Sequence, residues 1–215
     1  MDANHLKDME IAKAKRKSKL SLKVQNGQKT YAELVAIARK VFSKRGYSDT
    51  AIEEIVRKAG VTRGALYHHF EGKKGLFLAV FRDAETEIAN RIIQVAGKTE
   101  PIWERFISCT YTFFEACSEP EIQRIVLIDA PSVLGWDVWL QIDEEKTHEI
   151  LRSLLKELID KEIIKRLPIE PLTHLISGAA NEAVLWIAGS VDSKRAFDEA
   201  WFTMKEFLSS LRKES

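Results

Sequence analysis

With 215 residues, of which 45% are hydrophobic and 30% charged, the chain is long enough to bury a sizeable core. The most apolar stretch, Gly178 to Val191, is broken by Asn181 and Glu182 and is too short to cross a bilayer, and residues 1–19 lack a signal-peptide core, so a cytoplasmic protein with no membrane partner is expected. The net charge of +1 conceals a division: residues 1–75 hold 17 Lys and Arg against 8 Asp and Glu, while residues 76–215 hold 16 against 24.

A basic front on an acidic body points to a polyanionic partner for the front alone. Part of the excess lies in residues 1–29, with 8 basic and 3 acidic side chains, but residues 30–75 keep 9 against 5. Residues 1–29 have no sustained apolar period and contain the run Lys13-Ala14-Lys15-Arg16-Lys17-Ser18-Lys19, which reads as an arm. Contact with DNA phosphates and simple solubilisation both account for it.

From Thr30 a helical period sets in. Thr30-Tyr31-Ala32-Glu33 has the form of a capping box, followed by Leu34, Ile37, Ala38, Val41 and Phe42 at helical spacing and by Gly46 as the stop. Thr50-Ala51-Ile52-Glu53 is a second capping box, and Ile52, Ile55, Val56 and Ala59 line a short helix that Gly60 ends. Thr62 caps a third helix with Leu66 and Phe70 pointing inward, and a fourth runs from about Lys73 to Val95. Three short helices with a glycine turn before the third make a helix-turn-helix, and here the turn coincides with the basic excess.

The remainder is also helical, with breaks expected at Lys98–Pro101, Ser118–Pro120, Ala130–Gly135, Leu167–Pro171 and Gly189–Asp192. Leu151, Leu154, Leu155, Leu158 and Ile159 form one stripe, and Phe197, Trp201, Met204, Leu208 and Leu211 another. No segment of useful length has strand period, so the fold class is all-α. Three parts are expected: an arm over 1–29, a helix-turn-helix domain over 30–75 and a larger helical domain over 76–215. Cys109 and Cys117 on one helix would stand ~12 Å apart, beyond disulfide reach, and read as reduced, packed thiols.

The stretch Gly60-Val61-Thr62-Arg63-Gly64-Ala65-Leu66-Tyr67-His68-His69-Phe70, with Lys73 and Leu76-Phe77, resembles the TetR family of bacterial transcriptional regulators. The chain departs from many members at the start of the fourth helix, where Gly72-Lys73-Lys74 replaces a serine-lysine-glutamate sequence. The segment Ile128 to Trp136 is similar to one found in a subgroup of these regulators. The resemblance implies a homodimer that binds double-stranded operator DNA through its N-terminal domain and a small-molecule effector through its C-terminal one. Repression is the expected output.

On that reading the third helix enters the major groove. Arg63 suits guanine O6 and N7, although a phosphate contact fits it as well. Gly64 and Ala65 permit close approach, and Thr62 bonds a phosphate besides capping. Tyr67 and His68 match positions that touch the DNA backbone in the family. Lys73, Thr50 and Tyr31 stand at helix starts, where free amides and a side chain hold a phosphate together. His69 packs or faces solvent.

No nucleophile motif, phosphate loop or metal-ligand spacing is found, so neither enzyme activity, nor a metal site, nor a cofactor is expected. The competing classes are an enzyme built on the helical body and a sequence-nonspecific DNA binder. Of Trp103, Phe106, Tyr111, Phe113, Trp136, Trp139 and Trp186, a minority should line an effector cavity, with His174, Asn181 and Glu182 offering polar contacts or register at the dimer seam. The small residues Gly178, Ala179, Ala180, Ala183 and Ala188, with the aromatic last helix, suggest a four-helix dimer seam that buries Trp201, Met204 or Leu208.

Overall fold

The computed structural model describes residues 25 and 27–213, and the basic arm lies almost wholly outside them. The described residues are all-α: a small N-terminal trio, α1 (27–45), α2 (Ile52–Ala59) and α3 (Arg63–His69), leads into the long α4 (Gly72–Ala96). The body follows with α5 (Ile102–Ser118), α6 (Pro120–Gln123), α7 (Ala130–Leu134), α8 (Trp136–Asp143), α9 (Glu149–Asp160), α10 (Ile169–Ala188) and α11 (Ser193–Ser209). Single π-helical turns, Arg124–Asp129 and Glu144–His148, join α6 to α7 and α8 to α9.

Helix α1 is already formed at residue 27, so the Thr30–Glu33 box lies within the helix instead of opening it. It ends at Gly46, whose φ of 78° suits glycine, and a Cβ there would also collide with the Arg124 guanidinium. The second expected box is not used either. Ala51 precedes α2 without a side-chain cap, because Thr50 turns inward and its hydroxyl donates to the Gly46 carbonyl at 2.7 Å. Acidic Glu53 and Glu54 in the first turn of α2, and basic Arg57 and Lys58 in the last, complement the helix dipole. Gly60, at φ 64°, closes α2, and the Thr62 hydroxyl caps α3 by accepting from the Ala65 amide at 3.2 Å.

Helix α4 serves both halves. Near its start, Phe77 meets Phe42 edge-on at 5.1 Å and closes the core of the trio with Leu34, Ile55 and Leu66. Farther along, Ala84, Ile88 and Ile92 are buried against the body. The expected break at Ala130–Gly135 is narrower than the sequence suggests: the chain stays helical through Pro131 and stops only at Gly135. The π-helical turn ahead of Pro131 has already disturbed the regular bonding ladder, so its missing N–H is tolerated. One carbonyl in that turn, Val126, accepts instead from the Trp139 indole at 2.8 Å. Pro171 likewise falls in the first turn of α10, where its N–H would have had no partner.

The last two helices pack on each other, and the α11 residues expected to meet a second copy instead face the chain's own core. Trp201 packs edge-on to Tyr111 at 5.0 Å and against Phe114, while Met204 and Leu208 are buried within the chain. Cys109 and Cys117 are free and buried, as expected, and burial pushes the Cys109 thiol up to about 11.

Candidate nucleic-acid interface

Leu66 and Phe70 point α3 into the core of the trio, and this leaves Thr62, Arg63, Gly64, Tyr67 and His68 on its exposed side, with Ala65 half-buried beside them. Arg63 and Tyr67, one turn apart, act together: the guanidinium donates to the Tyr67 hydroxyl at 3.3 Å and lies 5.5 Å from its ring centre. The same guanidinium pairs with Glu53 of α2 at 3.2 Å. Arg63 is therefore held by an exposed acid across the turn, a contact it must exchange to reach a base or phosphate.

Lys73 enters α4 beside Gly72. Its ammonium sits 4.3 Å from the centre of the Tyr47 ring and donates to the Ser48 carbonyl at 3.3 Å. Burial lowers it below the usual lysine value, with Asp49 acting in the opposite sense. Tyr31 is partly exposed and stacks on Phe70 at 4.8 Å, near His69. Thr50 does not join this surface, since its side chain is buried. The rings of His68 and His69 meet edge-to-face with their centres 5.3 Å apart.

Comparison with known proteins supplies the family. The profile for bacterial regulatory proteins of the tetR family matches residues 34–80, and that for the tetracyclin repressor-like C-terminal domain matches residues 103–211. A TetR-family transcriptional regulator from Pectobacterium atrosepticum is 36% identical, superimposes with a TM-score of 0.77, and covers 88% of this chain and 97% of its own. The chain belongs to the TetR family of bacterial transcriptional regulators. It is also similar to the TetC protein of transposon Tn10 from Escherichia coli, at 28% identity over 72% of this chain and 78% of that protein. The transcriptional regulator FadR from Bacillus subtilis, solved in complex with stearoyl-CoA, shares the fold alone, at 18% identity and a TM-score of 0.68 over 81% of this chain and 97% of its own.

In this TetR-family chain the DNA-binding head is wired to the body by charge. Arg39 of α1 reaches Glu87 at 2.6 Å and Asp83 at 3.1 Å, both on α4, and Glu121 of α6 at 2.6 Å. The Tyr47 amide donates to Asp129 at 2.8 Å, and Arg124 pairs with the other oxygen of that carboxylate at 3.1 Å. Neither Arg39 nor Asp129 was expected to carry a function. Apart from Arg124, five residues before Asp129, their partners lie 44 to 82 residues away, and no local spacing announces them.

Two adjoining cavities open in the body. One, of about 40 Å³, is lined by Ile92 of α4, Cys109, Thr110 and Phe113 of α5, Leu151 and Leu154 of α9, and Ile176 and Ala180 of α10. The other, of about 270 Å³, lies between α8 and α10 and is walled by Trp136, Trp139, His174, Asn181 and Glu182. Among the seven aromatic residues considered from sequence, Phe113, Trp136 and Trp139 line a cavity; Trp103 and Phe106 are core, Tyr111 packs on α11, and Trp186 is exposed on α10. His148 and Ser177 border both spaces.

Two acids are buried in the interior of the body, and one of them, Asp143, lines the larger cavity. Glu85 of α4 and Asp143 of α8 are buried, and burial raises both carboxyls above their usual range. Asp143 accepts from the Thr147 hydroxyl and stands 3.2 Å from His148 Nε2. The fold also corrects the expectation that no ligand cluster exists: Glu144, His148 and His174 place one donor atom each within 4.8 Å of one another. The i, i+4 pair Glu144 and His148 was the available signal, but His174 comes from another helix.

Proposed function

We propose that this chain is a homodimeric repressor that grips a palindromic operator and releases it when a small molecule occupies the body. The observation that carries this reading is the continuity of α4. Its first turns hold the DNA-binding head through Phe77, Asp83 and Glu87, and its far end lines a cavity at Ile92. A molecule wedged there would press on the helix that positions α3. The interface comprises Thr62, Arg63, Gly64, Ala65, Tyr67, His68, Lys73 and Tyr31, with Arg63 reading a base and the others positioning the backbone. Thr50 serves by closing the turn ahead of α2.

The dimer forms on α10 and α11. Trp186 and Phe207, exposed to 52% and 43%, line a groove with the small side chains of Ala179, Ala183 and Ala200, and Leu175 and Phe202 are exposed on the same two helices. Exposure of that much apolar surface suits a second copy, and the small side chains let helices approach closely. Two α3 helices must then stand roughly 34–36 Å apart to enter successive major grooves. Effector and operator weaken each other by the same factor.

The test is selection of bound duplexes from a random pool by the full chain. A two-fold symmetric motif with half-sites one turn apart, bound ~10³-fold or more above random DNA, is the expected result. Recovery of no motif would replace this reading with nonspecific binding.

A further inference from the structure

The turn from α8 into α9 and the first half of α10 bring two imidazoles and two carboxylates to the mouth of the larger cavity. His148 is the unusual member. Its side chain is 4% exposed, its Nε2 faces the buried Asp143 Oδ2 at 3.2 Å without hydrogen-bonding geometry, and its Nδ1 has no hydrogen-bond partner. A buried ring without bonds is costly unless something else takes them up. The donor atoms that face it come from His174, whose Nε2 lies 4.0 Å from Glu144 Oε1, and from Glu144 itself.

We propose that Glu144, His148 and His174 form a binding site for a divalent transition-metal ion, with Asp143 orienting His148. Two imidazoles and one carboxylate suit zinc, iron(II), cobalt(II) or nickel(II), whereas magnesium and calcium prefer all-oxygen shells. Ligand atoms ~2.0–2.1 Å from a tetrahedral ion stand about 3.4 Å from one another, so the 4.8 Å spread closes with about 1 Å of side-chain movement. Glu144 and His174 are both half-exposed and free to make it. A carboxylate beside a ligating histidine is the usual second partner of such a ring, and it fixes which nitrogen faces the ion. Three protein ligands leave coordination positions open toward the cavity, where a small molecule with an oxygen or nitrogen donor would complete the shell. The site stands on this geometry and not on the repressor reading.

The measurement is titration of the full-length, metal-stripped protein with Co²⁺ alone, followed by visible absorption and then by competition with Zn²⁺. Saturable ligand-field bands that Zn²⁺ abolishes are expected. His174→Ala, at the exposed rim, should keep its helical content yet lose at least ~10–100-fold in Co²⁺ affinity, and Asp143→Asn should weaken binding within that same range. Absence of saturable Co²⁺ bands, or unchanged affinity in a folded His174→Ala, would overturn the assignment. If Asp143→Asn fails to fold, the His174 comparison decides alone.

Discussion

The backbone amide of Tyr47, in the loop between α1 and α2, donates to the Asp129 carboxylate in the body at 2.8 Å. The same carboxylate takes the Arg124 guanidinium, which lies over Gly46, so one buried acid organises the end of α1 from outside the DNA-binding head. Tyr47 in turn supports Phe77 and Lys73 with its ring. These contacts connect the α6–α7 segment to the start of α4 and to the loop that precedes α2.

Asp129→Ala removes an acceptor from a backbone amide and a partner from a guanidinium. Hydrogen bonds to charged groups contribute roughly 1.5–3 kcal/mol, and the variant should lose about that much in urea unfolding. Hydrogen exchange at residues 46–50 should speed up in the native state. Equal stability with unchanged exchange would show that the head is held by packing alone.

Glu53 restrains Arg63 in the free protein. Glu53→Gln should therefore raise affinity for random duplex at low salt by roughly 1.5–5-fold, the modest effect of releasing an exposed ion pair. Arg63→Ala should cost ~1–3 kcal/mol on the preferred site and relax one position in each half-site. Uniform losses on every sequence would make Arg63 a phosphate contact.

Lys73 is a partly buried cation bonded to Ser48 and laid on Tyr47. Lys73→Ala should weaken specific and random DNA alike and reduce the salt slope by about 1 per contact. An unaltered slope would mean that the ammonium keeps its bond to Ser48 in the complex.

Much of the head was legible in the chain because its signals are local. Gly60, the Thr62 cap and the inward pair Leu66 and Phe70 each depend on neighbours within a few residues, and all stand as read. The two threonine boxes misled because the chemistry that makes a cap also permits other bonds: Thr50 found the Gly46 carbonyl instead. The orientation of α11 was equally illegible. A stripe of Phe197, Trp201, Met204 and Leu208 marks a buried face, but not whether its own chain or a second copy buries it, and Tyr111 and Phe114 settle that only in three dimensions. The link from Arg39 to Glu87 and Glu121 is likewise a product of packing.

That link sets a pH dependence. Burial opposes the charge on Glu87, but its bonds to Arg39 and Arg91 prevail and hold its carboxyl below the usual 4.5. The native state then binds fewer protons than the unfolded one, so the stabilisation is present above about pH 4.5 and fades as pH falls through the depressed native value. Glu87→Gln should lower the melting temperature at pH 7, with the difference from wild type shrinking below pH 4.5. A difference that stays constant on acidification would assign the effect to packing.

Two heads on one dimer are proposed to bind DNA together, and Ala183→Arg tests this most directly. Ala183 lines the groove between α10 and α11, so an arginine there would set an unpaired cation against its symmetry mate in the proposed dimer. Sedimentation velocity and operator binding measured on the same preparation should show a monomer of native helical content that has lost the avidity of two linked half-site contacts. A monomeric variant that still binds the full operator with undiminished affinity would contradict the two-headed account.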